Sequence, residues 1–578
     1  MSMLRPGVLA SRGRDAAAVA SIWVVTILLT QRWAGLDTPD SSFYTSLGLF
    51  GSEVSDRAYD NSYFWTRLGV IAPTRLLTSL LGTWGGLTAW HWLLLLMVIA
   101  GAYATVRRFA ALPLATALTA CIALSTVPLS YLANPYLTGA VLAGTSVLVA
   151  AALSDSRGAA ITSGVIMGWL VMVNPPGVLL AGVVWLSLRV QRLLAARRAA
   201  PARRVPLLQP LAWAAGATVV TFIVFLGIGR LVFPELNWFA AYLDAQGINL
   251  SDFASKDPIW MRDISMLVPA VVLVITVVIW LARRRHEAAQ LALTLSASSV
   301  AFMLVFSPLM GGIALEAPMY QAMLWPPALI ALALGAAAVA DPHGTGDPAD
   351  QRSSVSITAL AVAAVVLVVV VVAGHWSGAL DLTQGRLLAL ALVGLTALLV
   401  LLMPPRLAPV GALLMIGLVV TGGQLLQNSR GSLGLYYLSP YSWAFNANPI
   451  SEKLHTAVNT QEWLLANTTN DDTVLTWVDG DWVDGDRELY VVAGMQLWGE
   501  NRIGLFAELD DDDRARLEAI RPSVIAMYGQ SIEGVATFMR GLPASTLPTA
   551  PTCYDFTWPA PHIPAGHACI TRLTWTTT

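Results

Sequence analysis

The chain has 578 residues, of which 56% are hydrophobic and 12% charged, and its formal net charge is −2 at pH 7. Apolar residues in that excess, gathered in blocks that match the roughly 20 residues a helix needs to cross a bilayer, exclude a soluble globular protein. A charge balance this close to neutral excludes a general attraction to nucleic acid.

The first fifteen residues, MSMLRPGVLASRGRD, lead into a long apolar run. No small-residue cleavage site precedes Gln31–Trp33, so the run reads as an uncleaved first helix rather than a signal peptide. Thirteen spans are expected, near 16–34, 87–106, 111–128, 137–153, 159–173, 177–194, 210–232, 264–282, 288–309, 319–340, 355–374, 386–403 and 408–426. Alternate connections carry most of the arginines: Arg5, Arg12 and Arg14, then Arg107 and Arg108, Arg157, Arg189 to Arg204, Arg283 to Arg285, Arg352 and Arg406. The excess of basic residues assigns those connections to the cytoplasm. The N-terminus is then inside and the tail from residue 427 outside.

The basic stretch RVQRLLAARRAAPARR reads as an anchor near anionic lipid. Three connections on the outer side are long: 35–86, 233–263 and 310–318. Their Trp33, Trp65, Trp84, Trp90, Trp92, Trp238 and Trp260 suit the membrane interface, and so does His91 between two of them. The segment IAPTRLLTSLLG, residues 71–82, has apolar residues at helical spacing and is expected to lie along the membrane surface.

Past residue 426 the composition turns polar and aromatic, which divides the chain into a membrane domain, 1–426, and a C-terminal domain, 427–578. SEKLHTAVNTQEWLLAN begins with a Ser N-cap signal and continues as a helix. DTVLTWV, ELYVVA and SVIAMYG read as strands, and DDDDRARLEAI as an acid-led helix start. Strands alternating with helices predict a small extracytoplasmic α/β domain. Cys553 and Cys569 both fall in it and, in an oxidising compartment, are expected to pair; Cys121 lies in a span. The repeat WVDGDWVDGD, residues 477–486, is rich in acids. Counted from Asp479, however, its fifth and sixth positions are Val483 and Asp484, where a calcium loop needs an acid and Gly. A solvated turn is the expectation.

The chemistry is sought at the mouth of the first span, in LDTPDSSFYTSLGLFG, residues 36–51. A carboxylate beside hydrocarbon is costly unless water or a partner meets it. Asp37 in DTPD also suits a turn, and Asp40 also suits a helix cap or a solvated loop. Glu53 and Asp56 read as solvated loop charges. Arg67, Arg75, Lys256 and Arg262 are candidates for contacting phosphate, each with an interfacial anchor as its simpler reading.

The segment DSSFY, with Asp40 four residues before Tyr44 in a long first outer loop, resembles the GT-C superfamily of polytopic membrane glycosyltransferases, and the composition suits an actinobacterial member. Many members carry Asp-Glu there; Ser41 stands at the Glu position. VNPPGVLLAGVVWL, residues 173–186, and EAPMYQAMLWPPALI, residues 316–330, are similar to proline-containing span entries of that superfamily. The resemblance implies an α-helical polytopic fold of about thirteen transmembrane helices in the plasma membrane. It implies transfer of a sugar, arabinofuranose and mannose among the candidates, from a polyprenyl-phosphate donor to an envelope glycan, lipid or protein. Asp40 would be the general base and Asp37 its weaker companion. Tyr44, Arg67, Arg75, Lys256 and Arg262, with Glu316, Tyr320 and Gln321 as walls, would bind substrate. A divalent cation is the one cofactor left open, and no metal ligand is assigned.

Two other classes compete. A transporter or lipid flippase predicts internal repeats and midplane charges, whereas the charged residues here fall almost wholly at span ends. A non-catalytic envelope assembly protein would suit Ser41 in place of Glu.

Overall fold

The computed structural model describes residues 6–29, 39–50, 63–133, 137–199, 208–234, 237–241, 264–309, 320, 322–340, 449–469, 471–478, 509–529, 531–556 and 566–576. The expected spans at 355–374, 386–403 and 408–426, the strand ELYVVA and residues 479–486 of the acidic repeat lie outside the described residues.

Helices dominate the N-terminal part: α1 (Pro6–Leu29), α2 (Pro39–Phe50), α3 (Leu68–Val106), α4 (Leu112–Ala123), α5 (Thr126–Ala133), α6 (Leu137–Ala152), α7 (Arg157–Val173), α8 (Pro175–Ala199), α9 (Leu208–Val232), α10 (Ile264–Ala282), α11 (Glu287–Leu309) and α12 (Trp325–Ala340). Among the described residues four stretches are long and apolar enough to cross a membrane: Leu68–Val106, Pro175–Ala195, Gln209–Val232 and Glu287–Phe306. Val219, Val220, Ile223, Val224 and Leu231 of α9 stay exposed, as expected of a helix whose outer face meets lipid rather than water. The chain is thus an α-helical membrane protein with a small sheet near its C-terminus.

Several boundaries differ from the expectation. The first helix already includes Pro6 to Arg14, ahead of the apolar block, and is described as far as Leu29. The span expected at 111–128 is two helices, α4 and α5, separated at Leu124–Ser125. Pro128 explains the break: with no N–H it cannot extend α4, but it is tolerated in the first turn of α5. The surface segment 71–82 belongs to α3, which kinks at Gly82, where φ is +74° and a side chain would be strained. Pro175 and Pro176 open α8 directly after Asn174, the position where proline's fixed φ suits a helix start.

The ends of the bundle differ in character. At one end Asp155 is paired with Arg189 at 2.8 Å and Arg192 at 3.1 Å. There too Asp15 ties α1 to α3, accepting from Tyr103 at 2.8 Å and from Arg107 at 2.9 Å. The other end carries α2 and the start of α3.

The C-terminal part is a three-layer α/β unit. Its elements are α13 (Pro449–Asn467), β1 (Val474–Val478), α14 (Asp511–Ile520), β2 (Val524–Gly529), α15 (Ile532–Arg540), β3 (Thr546–Pro548), β4 (Thr552–Phe556) and β5 (Gly566–Trp575). β1 and β2 are parallel, Val474 opposite Val524. β5 runs antiparallel to β2 along one edge and to β4 and β3 along the other. Val458 and Leu464 of α13 cover the face holding Val474, Ala526 and Tyr528. Leu517 of α14 and Val535 and Phe538 of α15 cover the opposite face, with Phe538 stacked on Trp477 at 4.4 Å. Asp510 caps α14 as the acid-led start predicted, accepting from Asp513 N–H at 2.7 Å. Ser451, expected as the cap of α13, lies inside it, because the helix already begins at Pro449.

The apolar cluster on the α13 face is continuous with Leu47, Trp65, Leu68, Phe233 and Trp238 of the membrane part. The sheet domain thus meets the end of the bundle that carries α2 through apolar side chains.

Candidate functional site

The site expected from the sequence begins on α2. Proline at its first position is preorganised for a helix, and Asp40 follows it in the first turn, where an acid complements the helix dipole. One turn later Tyr44 is fully buried, in the helical core that also holds Val70 of α3. Leu47, three residues on, joins Trp65, Leu68 and Ile71. The i, i+3 pair thus fixes α2 against α3, and with it the position of Asp40 along the bundle.

Arg67 stands at the N-cap of α3 and makes no side-chain cap. A cation at a helix N-terminus opposes the macrodipole, and burial adds a desolvation cost. Arg67 is nevertheless only 8% exposed. Arg75, two turns later, is half-buried.

The backbone around Arg67 is clamped by indoles. Trp238 donates to the Thr66 carbonyl at 3.0 Å, and Trp169 to the Gly69 carbonyl at 2.8 Å. Trp65 lies flat on Phe233, with centroids 5.4 Å apart and planes 21° from parallel. Trp65 and Trp238, expected at the lipid interface, are instead buried, because each ring has a protein partner. His91 is likewise internal: it is buried, with Nδ1 2.6 Å from the Leu132 carbonyl oxygen. Sequence reasoning missed Ser46, whose hydroxyl is buried on α2. Neither Ser46 Oγ nor Trp65 Nε1 has a hydrogen-bond partner among the described residues. Trp65 was visible as an outer-loop aromatic; nothing in the sequence marked Ser46.

Tyr44, Arg67 and Arg75 thus lie on one pair of packed helices. Tyr320 is half-buried against the same helical core that holds Tyr44. Asp37, Lys256, Arg262, Glu316 and Gln321 lie outside the described residues. Among the described residues no group of three His, Cys, Asp or Glu could hold a metal ion. Cys553 and Cys569 are opposite each other on β4 and β5 and are joined by a disulfide.

No protein-family model matches the chain, and no curated protein matches it in sequence. Solved structures are similar. ArnT from Cupriavidus metallidurans bound to undecaprenyl phosphate is 15% identical, with a TM-score of 0.47, over 98% of each chain. The arabinosyltransferase EmbB from Mycobacterium smegmatis is 15% identical, with a TM-score of 0.40, over 76% of this chain and 43% of its own. The oligosaccharyltransferase of Archaeoglobus fulgidus is 11% identical, with a TM-score of 0.40, over 91% of this chain and 71% of its own. Similarity at this level assigns no activity to the chain.

Proposed function

We propose that this chain is a membrane glycosyltransferase of the GT-C type. It moves a sugar from a polyprenyl-phosphate donor to an extracytoplasmic glycan, lipid or protein, with Asp40 as general base. The observation that supports the reading is the pairing of α2 with the start of α3. Asp40 stands in the first turn of α2, and α2 packs against α3, which the buried Arg67 precedes, at the end of the bundle away from the Asp155–Arg189 pair.

The chemistry needs both signs of charge. An acceptor hydroxyl is a weak nucleophile at neutral pH, and a carboxylate in reach takes its proton as the new glycosidic bond forms at the anomeric carbon. The bond from that carbon to the donor's phosphate oxygen breaks, and the lipid phosphate leaves as an anion. Arg67 and Arg75 are the cations to receive it, with Lys256 and Arg262 as further contacts from later outer connections. Asp37 tunes the local field or binds a divalent cation, and Tyr44, Glu316, Tyr320 and Gln321 shape the walls. In this reading the arginine-rich end faces the cytoplasm, and the 427–578 domain lies outside, over the acceptor.

The test is incubation of the detergent-purified chain with polyprenyl-phosphate-linked pentoses and hexoses and a crude envelope acceptor fraction. Release of polyprenyl phosphate together with a glycosylated acceptor is expected. No turnover with any donor, together with lipid translocation by the same protein in proteoliposomes, would replace the enzyme with a flippase.

A further inference from the structure

Two buried donors, one on α2 and one in the turn just before Arg67, lack an assigned task. Trp65 is 5% exposed and Ser46 is 1% exposed. Trp65 Nε1 and Ser46 Oγ are both without a hydrogen-bond partner among the described residues. The neighbouring indoles of Trp169 and Trp238 behave differently, each donating to a backbone carbonyl of the same segment. An unpaired buried polar atom is destabilising, and an apolar residue at either position would not carry that cost. The two residues come from adjoining elements: α2 packs against the turn Tyr63–Thr66 that holds Trp65. Phe233 fixes the plane of the Trp65 ring and so the direction of its N–H.

We propose that the Trp65 indole N–H and the Ser46 hydroxyl are positioning residues that donate to a phosphoryl oxygen of the donor lipid, beside the Arg67 guanidinium. This inference rests on the glycosyltransferase reading above. The chemistry selects the ligand: an indole N–H and a guanidinium donate and never accept. A site built of such groups suits an oxygen that accepts several hydrogen bonds and carries charge, which describes a phosphate better than a sugar hydroxyl. The neutral donors add direction to a cation's attraction, so they hold the phosphoryl group in one orientation as the bond to the sugar breaks.

The test uses the full chain in lipid nanodiscs, with Trp65→Phe and Ser46→Ala as variants and a polyprenyl phosphate without sugar as the probe. Trp65→Phe keeps an aromatic ring against Phe233 and removes the N–H together with part of the indole ring. Each variant is expected to raise Kd about five- to tenfold; in Ser46→Ala, which removes an unpaired polar atom at nearly constant volume, the melting temperature of the ligand-free protein stays the same or rises, whereas Trp65→Phe also carries the cost of the lost ring atoms. Inorganic phosphate is titrated in parallel. Weakening seen with both probes means that the phosphoryl group is recognised by itself; weakening seen only with the lipid means that the headgroup is recognised as the bilayer presents it. Kd within twofold of the parent in both variants would overturn the inference alone, as would a lowered melting temperature of Ser46→Ala with unchanged Kd. Absence of binding by the unsubstituted chain would overturn both the inference and the function it rests on.

Discussion

Trp169 donates its indole N–H to the backbone carbonyl of Gly69 across 2.8 Å, joining α7 to the first turn of α3 from a hundred positions away. The contact is possible because residue 69 has no side chain. A Cβ there would lie 2.6 Å from Val173 Cγ2 and 3.0 Å from both the Met172 carbonyl carbon and the Trp169 carbonyl oxygen. Gly69→Ala is therefore expected to push α3 off α7 and cost about 1–3 kcal/mol, the usual range for overpacking. Trp169→Phe keeps the closeness but removes the donor and part of the buried ring, and its cost should be about 1–3 kcal/mol. Because Arg67 lies two residues from Gly69, the Ala variant should also weaken donor binding. Thermal unfolding of both variants in detergent checks this; parental melting in both would mean that this junction is not fixed by packing.

Asp472 links α13, β1 and β5. It accepts from Arg572 at 2.7 and 3.1 Å, from the Thr469 N–H at 2.7 Å and from the Ser523 hydroxyl at 3.1 Å. Burial raises its carboxyl pKa, but the Arg572 guanidinium and the other donors outweigh burial and hold it down at about 2. A depressed carboxyl contributes stability that is fully present above its unfolded value, about 3.9, and is lost as pH falls toward 2. The size is roughly 2 kcal/mol. Asp472→Asn should lower the melting temperature at pH 6 and flatten its fall between pH 4.5 and pH 2.5 relative to the parent. An unchanged slope would remove Asp472 from the acid response.

The Cys553–Cys569 disulfide spans 16 positions and joins directly opposed residues of β4 and β5. Closing a loop of that length is worth about 3 kcal/mol in the chain-entropy account. Replacing both cysteines with serine should lower the unfolding temperature of the C-terminal domain. Non-reducing peptide mapping of the parent should recover the two peptides linked; finding both thiols free would contradict the pairing.

How much of this was legible depends on where the information resides. Apolar blocks such as 210–232 and 288–309 mark α9 and α11 closely, because span length is set by composition alone. Trp65 and Trp238 were misread because an indole suits a lipid interface as well as a buried carbonyl. The choice depends on partners far along the chain, Phe233 for one and Thr66 for the other. The break before Pro128 was legible in principle, since proline's missing N–H is a local fact. β5, GHACITRLTW, escaped notice because a strand paired on both edges and covered on both faces does not alternate cleanly. At the candidate site, the sequence displays Asp40, Tyr44, Arg67 and Arg75 as residue types. The burial of Arg67, and the indoles that hold its backbone, exist only in the fold.

The decisive prediction concerns Asp40 and Asp37. Asp40→Asn keeps the size of the side chain and most of its hydrogen bonding but cannot take a proton from an acceptor hydroxyl. With general-base catalysis, turnover should fall by roughly 10²–10⁴ while folding and donor binding persist. Asp37→Asn should cost much less, because a residue that shapes the field contributes less than the group that accepts the proton. Under the proposed function, Ser41→Glu should leave donor binding intact, since Glu is the residue that the resemblance implies at that position. In the parent, turnover should fall on acidification as the base becomes protonated. The remaining activity of Asp40→Asn should lose that acid limb. Transfer from a polyprenyl-phosphate sugar, measured with melting temperature on the same preparations, decides among these outcomes. Full activity in Asp40→Asn would end the general-base assignment, and a larger loss in Asp37→Asn would move it to the other carboxylate.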